Sequence, residues 1–195
     1  MNTNELSKFS TPKPLLTVAH LETLPDDDNR YELIEGELFV SRAPGLPHQL
    51  VLQRLQVALF NYLDTTSIGV IVPGAGAVFS DYDAVIPDLV FVRKERWHSI
   101  VANDRFVAAP DLVIEVMSPG NENRNRDLLS KRRLYGKYRV REYWIVDSET
   151  QSVKIFRLHE GILEESATLC ERDELTSELL PGFALSVQSM FALPT

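Results

Sequence analysis

A carboxylate in the middle of an apolar strand constrains this chain more than any other feature of its sequence. The stretch "DLVIEVM" (111–117) is apolar after its first residue except at Glu115. In a strand, Leu112 and Ile114 share one face and Glu115 lies on the other. Burying an unpaired carboxylate is costly, so such a residue is normally paired with a cation, protonated or bound to a metal ion. The sequence therefore predicts a buried strand with a paired or metal-bound glutamate.

The four residues Pro-Asp-Leu-Val occur twice, at 87–90 and at 110–113. The segments around the two copies do not match, so they are not a duplicated unit. Each copy has the chemistry of a strand start, and strands are predicted at 88–92 and 111–117.

The two aspartates of these copies differ in how well they can share a metal ion with Glu115. Asp111 lies about 13 Å from Glu115 along one strand, which is too far for two ligands of a hard metal ion. Adjacent strands lie about 4.8 Å apart, so Asp88 is the better partner, and the pair predicts a Mg²⁺-type site. Otherwise Asp88 is an ordinary strand-start aspartate and Glu115 forms a buried ion pair with a nearby arginine or lysine. Asp111 is expected to be structural.

Hydrophobic periodicity over the rest of the chain predicts an α+β fold, with a mixed sheet of many strands and two principal helices. Residues 1–16 hold two prolines and many polar residues and are predicted to form an N-terminal arm; residues 17–195 are predicted to form one domain. The predicted elements are a hairpin within 25–41, a helix from about 44 to 63, two short strands within 67–80, a helix from 124 to 138, strands at 142–147, 152–158 and near 162–169, and a final strand and helical turn.

Charge is distributed unevenly along the chain. The net charge is −8, which argues against a general nucleic-acid coat protein but leaves room for a nucleic-acid enzyme, because local charge steers a polyanion. Eight of the 20 basic residues lie between 124 and 141, with Asp127 as the one acid among them. On the helix predicted there, Lys131 lies on the same stripe as Tyr135 and faces the sheet. It can orient a water or stabilise charge on a phosphate, or it buries its stem and forms an ion pair at the rim.

The sequence also predicts the compartment. A lone cysteine, Cys170, cannot form an internal disulfide, and no apolar run approaches the roughly 18 residues of a membrane span. The N-terminus lacks the pattern of a secretory signal. We therefore expect a cytoplasmic protein that does not contact a membrane.

An ordered series of motifs carries a more specific resemblance. The chain contains "YELIEGEL", "HQLVLQRL", "PDLVFV", "PDLVIEVMSP", a lysine and a tyrosine four residues apart, "VREYWIVD" and "LPGFALSV". In this order they resemble a bacterial family of Uma-type, restriction-endonuclease-like proteins within the PD-(D/E)XK nuclease superfamily, catalogued as a domain of unknown function. The resemblance covers about residues 20–192.

The resemblance implies a restriction-endonuclease-like core with flanking helices and extra β-hairpins. It also implies Mg²⁺-dependent hydrolysis of DNA phosphodiester bonds, with Mn²⁺ able to substitute for Mg²⁺. Asp88 and Glu115 would hold the metal ion, which would polarise the scissile phosphate and lower the pKa of the attacking water. Glu32 matches the first acidic motif of the family, and the family tends to carry a histidine at His48. Otherwise Glu32 is an exposed hairpin residue and His48 a helix-start residue with local hydrogen bonds.

Two positions depart from the pattern of the superfamily. Met117 stands where its usual lysine follows the acidic residue, and Lys131 from the next helix is the natural substitute. Arg139 stands where the family usually has glycine, at a predicted helix end. A left-handed arginine there costs roughly 1 kcal/mol, or the helix ends differently.

These departures keep rival functions open. The first hypothesis is a metal-dependent DNA endonuclease that uses Asp88, Glu115 and Lys131, with Glu32 and His48 as further site residues. The second is a non-catalytic module that binds nucleic acid or protein, in which Met117 marks a lost active site. A hydrolase of other phosphoesters would use the same chemistry. Exposed strands and aromatic residues are compatible with a homodimer.

Overall fold

Strands outnumber helices in the computed structural model, which describes residues 14–118 and 126–192. The strands are β1 Asn29–Ile34, β2 Glu37–Arg42, β3 Gly69–Pro73, β4 Ala77–Ser80, β5 Asp83–Val85, β6 Leu89–Arg93, β7 Val101–Ala102, β8 Arg105–Phe106, β9 Leu112–Val116, β10 Glu142–Asp147, β11 Ser152–His159, β12 Ile162–Leu169, β13 Glu174–Ser177 and β14 Leu180–Ser186. The helices are α1 Val18–Leu21, α2 Leu46–Thr66, α3 Trp97–Ile100, α4 Arg132–Lys137 and α5 Val187–Phe191, with a 3₁₀ turn at Lys94–Arg96 and a π-helical segment at Arg126–Lys131.

A six-stranded mixed sheet forms the centre of the molecule, in the order β12-β11-β10-β9-β6-β3. Strands β9 and β10 are parallel, and every other neighbouring pair is antiparallel. Both faces of β9 are buried: Leu112 and Ile114 belong to one apolar core, and Val113 to the other. The apolar run in the sequence therefore reflects a strand that is covered on both faces.

The shorter strands form a second six-stranded sheet, in the order β2-β1-β5-β4-β8-β7. The α+β class predicted from the sequence is confirmed, but the strands are divided between two sheets. Sequence periodicity predicts strands and not their partners, which is why this division was missed. A separate hairpin of β13 and β14 covers part of the first core together with α5.

Helix α2 covers one face of the central sheet. Of the stripe Val51, Leu55, Leu59 and Tyr62 that the sequence pattern predicts, the first three are buried; Tyr62 is half-buried and Leu63 is buried in its place. None of the helices in the described ranges is long and apolar enough to cross a membrane.

The basic helix predicted from residue 124 is irregular. Within the described residues it begins as the π-helical segment 126–131 and continues as α4. The expected start at Arg124 and most of the predicted arm over 1–16 lie outside the described residues, so the domain boundaries remain predictions.

Asp111 connects the end of β6 to the start of β9 and is fully buried. Its Oδ2 accepts a hydrogen bond of 2.9 Å from the backbone N–H of Arg93, and its Oδ1 lies 2.9 Å from Nη1 of Arg96. These contacts match the structural role expected from the sequence.

Candidate active site

A cavity of about 410 Å³ lies where the β1–β2 hairpin, the start of α2 and the neighbouring ends of β6 and β9 meet. Four of the five residues proposed from the sequence line it: Glu32, His48, Asp88 and Glu115. The fifth, Lys131, is 2% exposed and is reached only through the carboxylates in front of it.

Strand pairing brings the two central carboxylates together. Strands β6 and β9 are antiparallel, and their last recorded pair on this side is Leu89 with Ile114. One step further outward, Asp88 lies opposite Glu115. The backbone N–H of Val116 donates a hydrogen bond of 2.9 Å to Oδ2 of Asp88, which closes this corner of the sheet.

Three donors surround the carboxylate of Asp88. Oδ2 accepts from the N–H of Val116 and lies 3.0 Å from Nε2 of His48. Oδ1 lies 3.2 Å from Nη1 of Arg30. Burial raises the pKa of Asp88, but the hydrogen bond and charge of His48, with the charge of Lys131, outweigh it and hold the pKa below its usual value. Asp88 is therefore an anion whose inner oxygen is held in a fixed direction.

Glu115 has a different environment from that of Asp88. Nζ of Lys131 and the hydroxyl of Tyr135 both donate to its Oε1, at 2.8 and 2.7 Å. Burial raises the pKa of Glu115 to about 8; the charge of Lys131 opposes this shift, and the nearby acids add to it. The group thus retains a proton near neutral pH when no further positive charge is present.

Glu32 and Lys131 form the back wall of the site. Oε1 of Glu32 accepts a hydrogen bond of 2.8 Å from the backbone N–H of Ile86 and forms an ion pair with Nζ of Lys131 at 3.0 Å. Glu32 is therefore buried, and the alternative of an exposed hairpin residue is wrong. Burial alone would lower the pKa of Lys131, but Glu115 and Glu32 raise it above its usual value, so the ammonium keeps its proton.

His48 joins α2 to the site. The histidine is buried, and its Nδ1 has no hydrogen-bond partner among the described residues. Its Nε2 is the atom that contacts Asp88. A purely local role at the helix start does not account for this contact, which links residues far apart in the sequence.

Sequence reasoning missed four charged lining residues: Arg30, Arg42, Arg126 and Asp127. Asp127 is buried, and its Oδ1 lies 3.2 Å from Nε of Arg126. Burial raises the pKa of Asp127 above its usual value, although Lys131 and Arg126 oppose the shift. A signal existed for two of them: Asp127 is the one acid in the basic segment, and Arg30 precedes Glu32 by two residues and so shares its strand face.

The carboxylates of this cavity suit a hard divalent cation. Among residues 14–118 and 126–192, no three His, Cys, Asp or Glu side chains are arranged as a metal-binding group. Two opposed carboxylates remain, and Mg²⁺ usually binds one or two carboxylates and completes its shell with water and substrate phosphate. The donor chemistry of Asp88 and Glu115 therefore fits Mg²⁺ or Mn²⁺.

Comparisons with known proteins were made for the whole chain. The family model described as "Uma2: Putative restriction endonuclease" matches residues 18–188. A crystal structure from Anabaena variabilis ATCC 29413, titled as that of "a putative nuclease belonging to DUF820", matches with a TM-score of 0.73 and 19% sequence identity, covering 90% of this chain and 97% of that one. At that identity the likeness establishes the fold. No curated protein matches the chain.

Proposed function

Because the chain belongs to the Uma2 family of restriction-endonuclease-like proteins, we propose that it is a Mg²⁺-dependent endonuclease that hydrolyses DNA phosphodiester bonds. The family as a class supports a nuclease that uses a divalent metal. One observation carries the finer proposal: Asp88 and Glu115 face each other from adjacent strands in one cavity, and each is oriented by its own set of donors.

Asp88 and Glu115 would hold the metal ion. When bound, Mg²⁺ or Mn²⁺ would supply Lewis-acid chemistry, polarising the scissile phosphate and lowering the pKa of an attacking water. The role of the protein is to present the two carboxylates at a fixed spacing and to exclude other orientations.

The surrounding residues do this by fixing one oxygen of each carboxylate. His48 and the N–H of Val116 hold Oδ2 of Asp88, whereas Lys131 and Tyr135 hold Oε1 of Glu115. This leaves the opposite oxygen of each group outside these bonds. Precise orientation of this kind is worth several kcal/mol in a reaction barrier.

Lys131 would act as a positioning residue. Its raised pKa keeps it protonated, so it is a poor general base. Its ammonium lies between Glu32 and Glu115 and contacts both carboxyl groups, and Glu32 in turn fixes the ammonium. Substrate contact by Lys131 would require these carboxylates to move.

The basic segment 124–141 offers fewer unpaired positive charges for DNA binding than its composition indicates. Arg126, Lys131 and Lys137 form ion pairs with Asp127, Glu115 and Asp83, respectively. The side chain of Arg133 is 74% exposed, although it pairs with the exposed Glu35 at 3.7 Å, and Arg42 is exposed at the cavity. We propose DNA as the substrate with contacts from such exposed cations, since phosphate binding depends on them.

The experiment that tests this function is a substrate panel. Supercoiled plasmid, single-stranded DNA, RNA and a small aryl phosphodiester are each incubated with the protein and Mg²⁺ or Mn²⁺, beside Asp88→Ala. Glu164→Gln is the matched control, because Glu164 is an exposed carboxylate of β12 outside the cavity. Metal-dependent nicking by the wild type and the control, lost in Asp88→Ala, supports the proposal; equal nicking by all three proteins assigns it to a contaminant.

A non-catalytic binding module is the alternative outcome of the same panel. Met117, at the superfamily's usual lysine position, is buried in the apolar core and cannot replace a lysine there. DNA binding without hydrolysis of any substrate would favour this alternative. The homodimer and the cytoplasmic location remain predictions.

A further inference from the structure

We propose that Arg30 is a phosphate-binding residue that a divalent cation releases from Asp88. This inference rests on the proposed function, because it concerns how the same cavity receives metal and substrate. It adds a specific task for a residue that the sequence patterns did not single out.

Arg30 and an incoming cation compete for one atom. Oδ2 of Asp88 is held on the inner side by Nε2 of His48 and the N–H of Val116, at 3.0 and 2.9 Å. Oδ1 is held by Nη1 of Arg30, at 3.2 Å. Of the two oxygens, Oδ1 is therefore the one that a cation can take by displacing a single partner.

The contact between Arg30 and Asp88 is easily displaced. It involves one nitrogen of the guanidinium, and the side chain of Arg30 is 34% exposed, so water can replace its partner. Although Asp88 is buried, solvent reaches the arginine side of the pair and weakens its hold on Oδ1. By contrast, Lys131 is buried against two carboxylates and cannot leave without exposing them.

Once displaced, Arg30 would remain at the cavity. It extends from β1 on the face that also carries Glu32, and both residues line the cavity. A cation on Asp88 repels the guanidinium, and the planar fork of donors then needs another anion. A phosphate oxygen pair matches that fork in shape and charge.

This exchange couples metal binding to DNA binding. Without a cation, Arg30 stays paired with Asp88 and does not contact a phosphate of the DNA. With a cation, Arg30 becomes available, so each ligand strengthens the binding of the other, as thermodynamic linkage requires. The share of the coupling that depends on Arg30 resides in one side chain, so a single substitution should remove that share.

The first measurement is calorimetric titration of Mn²⁺ into nucleic-acid-free protein. Wild type, Arg30→Met and Arg42→Met are compared, because Arg42 also lines the cavity but forms no ion pair among the described residues. Losing the competitor should tighten Mn²⁺ binding at least about threefold in Arg30→Met, because exposed ion pairs are worth up to about 1 kcal/mol and this pair is half-buried. Arg42→Met should change it by less than about half as much, because Arg42 does not compete for an oxygen of Asp88.

The second measurement is fluorescence anisotropy of a labelled DNA duplex with and without Ca²⁺, with gel electrophoresis confirming intact strands. Ca²⁺ should strengthen DNA binding in wild type and in Arg42→Met, and this gain should be clearly smaller in Arg30→Met, where only the contact between the cation and the phosphate remains. Arg42→Met should lower DNA affinity equally with and without the cation. Circular dichroism verifies folding, and Arg30→Lys, which keeps the charge but lacks the fork, should retain part of the gain.

The outcomes separate this inference from the proposed function. The role of Arg30 is overturned if Arg30→Met binds Mn²⁺ no more tightly than the wild type does. It is also overturned if Ca²⁺ increases the DNA affinity of Arg30→Met as much as that of the wild type. In both cases Mn²⁺ binding by the wild type still supports the metal site. If the wild type binds no Mn²⁺, both proposals fail.

Discussion

At the scale of the residue, Glu115 shows why a buried carboxylate indicates a functional site. It lies in a strand buried on both faces and shares its Oε1 between Lys131 and Tyr135. Three further acids, Asp88, Asp127 and Glu32, raise its pKa, although each of them has a cationic partner of its own. An added divalent cation would favour the ionised form of Glu115.

The raised pKa of Glu115 predicts how stability depends on pH. The carboxyl binds its proton more tightly in the folded protein, where its pKa is about 8, than in the unfolded chain, where it is about 4.3. The folded state therefore gains from protonation below pH 4.3 and loses that gain as pH rises through 8, by up to about 1.4 kcal/mol per unit. In metal-free protein, Glu115→Gln should increasingly stabilise the fold relative to wild type as pH rises.

Urea unfolding from pH 5 to pH 9 in the presence of a chelator measures this difference, with Glu164→Gln as the exposed control. A difference in unfolding free energy that stays constant or shrinks with pH would contradict the account of Glu115.

Some residues of this site could be recognised from the sequence alone, and others could not. Glu115 was recognisable because its strand is otherwise apolar, and Asp88 because its strand could lie next to that one. Arg30 shares the strand face of Glu32, whereas Arg126 could not be ranked above other arginines, since only the folded chain brings it near Glu32. The burial of Lys131 behind Glu115 also depends on the exact path of the helix.

At the scale of the element, the end of α4 carries a local strain. Arg139 has a φ of 66°, in the left-handed region. The N–H of Arg139 bonds to the carbonyl of Gly136, and that of Val140 to the carbonyl of Tyr135, both at 2.9 Å. This is the Schellman pattern, which normally places glycine at this position.

Arg139→Gly should therefore stabilise the protein by about 1 kcal/mol, because glycine adopts the left-handed conformation without strain. Thermal and urea unfolding measure the change. Arg139→Ala removes the same charge but retains the strain, so it should give no such gain. Equal effects of the two substitutions would show that charge, and not backbone conformation, is responsible.

A second joint fixes α4 to the smaller sheet. Asp83 of β5 is buried, and its carboxylate accepts bonds from Nζ of Lys137 at 2.8 Å, the hydroxyl of Tyr138 at 2.7 Å and the N–H of Glu35 at 2.7 Å. Burial raises the pKa of Asp83, but these three donors outweigh it and hold the pKa below its usual value. The joint thus depends on an ionised aspartate.

Asp83→Asn should lower the unfolding free energy by about 1–3 kcal/mol at pH 7, because hydrogen bonds to a charged group are lost. A lowered folded pKa gives a contribution that is present above the unfolded value near 3.9 and is lost as pH falls through the folded pKa. The effect of the substitution should therefore shrink at pH 3. Asp81→Asn, at an exposed position two residues earlier, is the control, and an equal cost in both variants would refute the joint.

Elements were easier to predict than their arrangement. Long periodic segments such as α2 and the strands β10 to β12 follow directly from their hydrophobic spacing. The π-helical segment 126–131 buries both Asp127 and Lys131. It could not be predicted, because hydrophobic spacing in the sequence does not distinguish a single π-helical turn from an α-helical one. The division into two sheets depends on long-range pairing such as Leu33 with Ala84.

At the scale of the molecule, the site lies where the two sheets meet. The central sheet contributes Glu115 and orients Asp88, whereas the smaller sheet contributes Glu32 and Arg30. The net charge of −8 is distributed so that much of the basic segment neutralises buried acids. The ion pairs of Lys131 with Glu32 and Glu115 orient these carboxylates and also join the basic helix to both sheets.

The most direct test of the central claim is the rate at which Glu115→Gln nicks supercoiled plasmid across a Mg²⁺ titration, compared with wild type at equal protein concentration. We predict a rate at least about 100-fold lower at every Mg²⁺ concentration, the size of loss seen when one charge-stabilising group leaves an active site. Circular dichroism should show that the variant is folded. Nicking by folded Glu115→Gln at the wild-type rate, with the same Mg²⁺ dependence, would contradict the account.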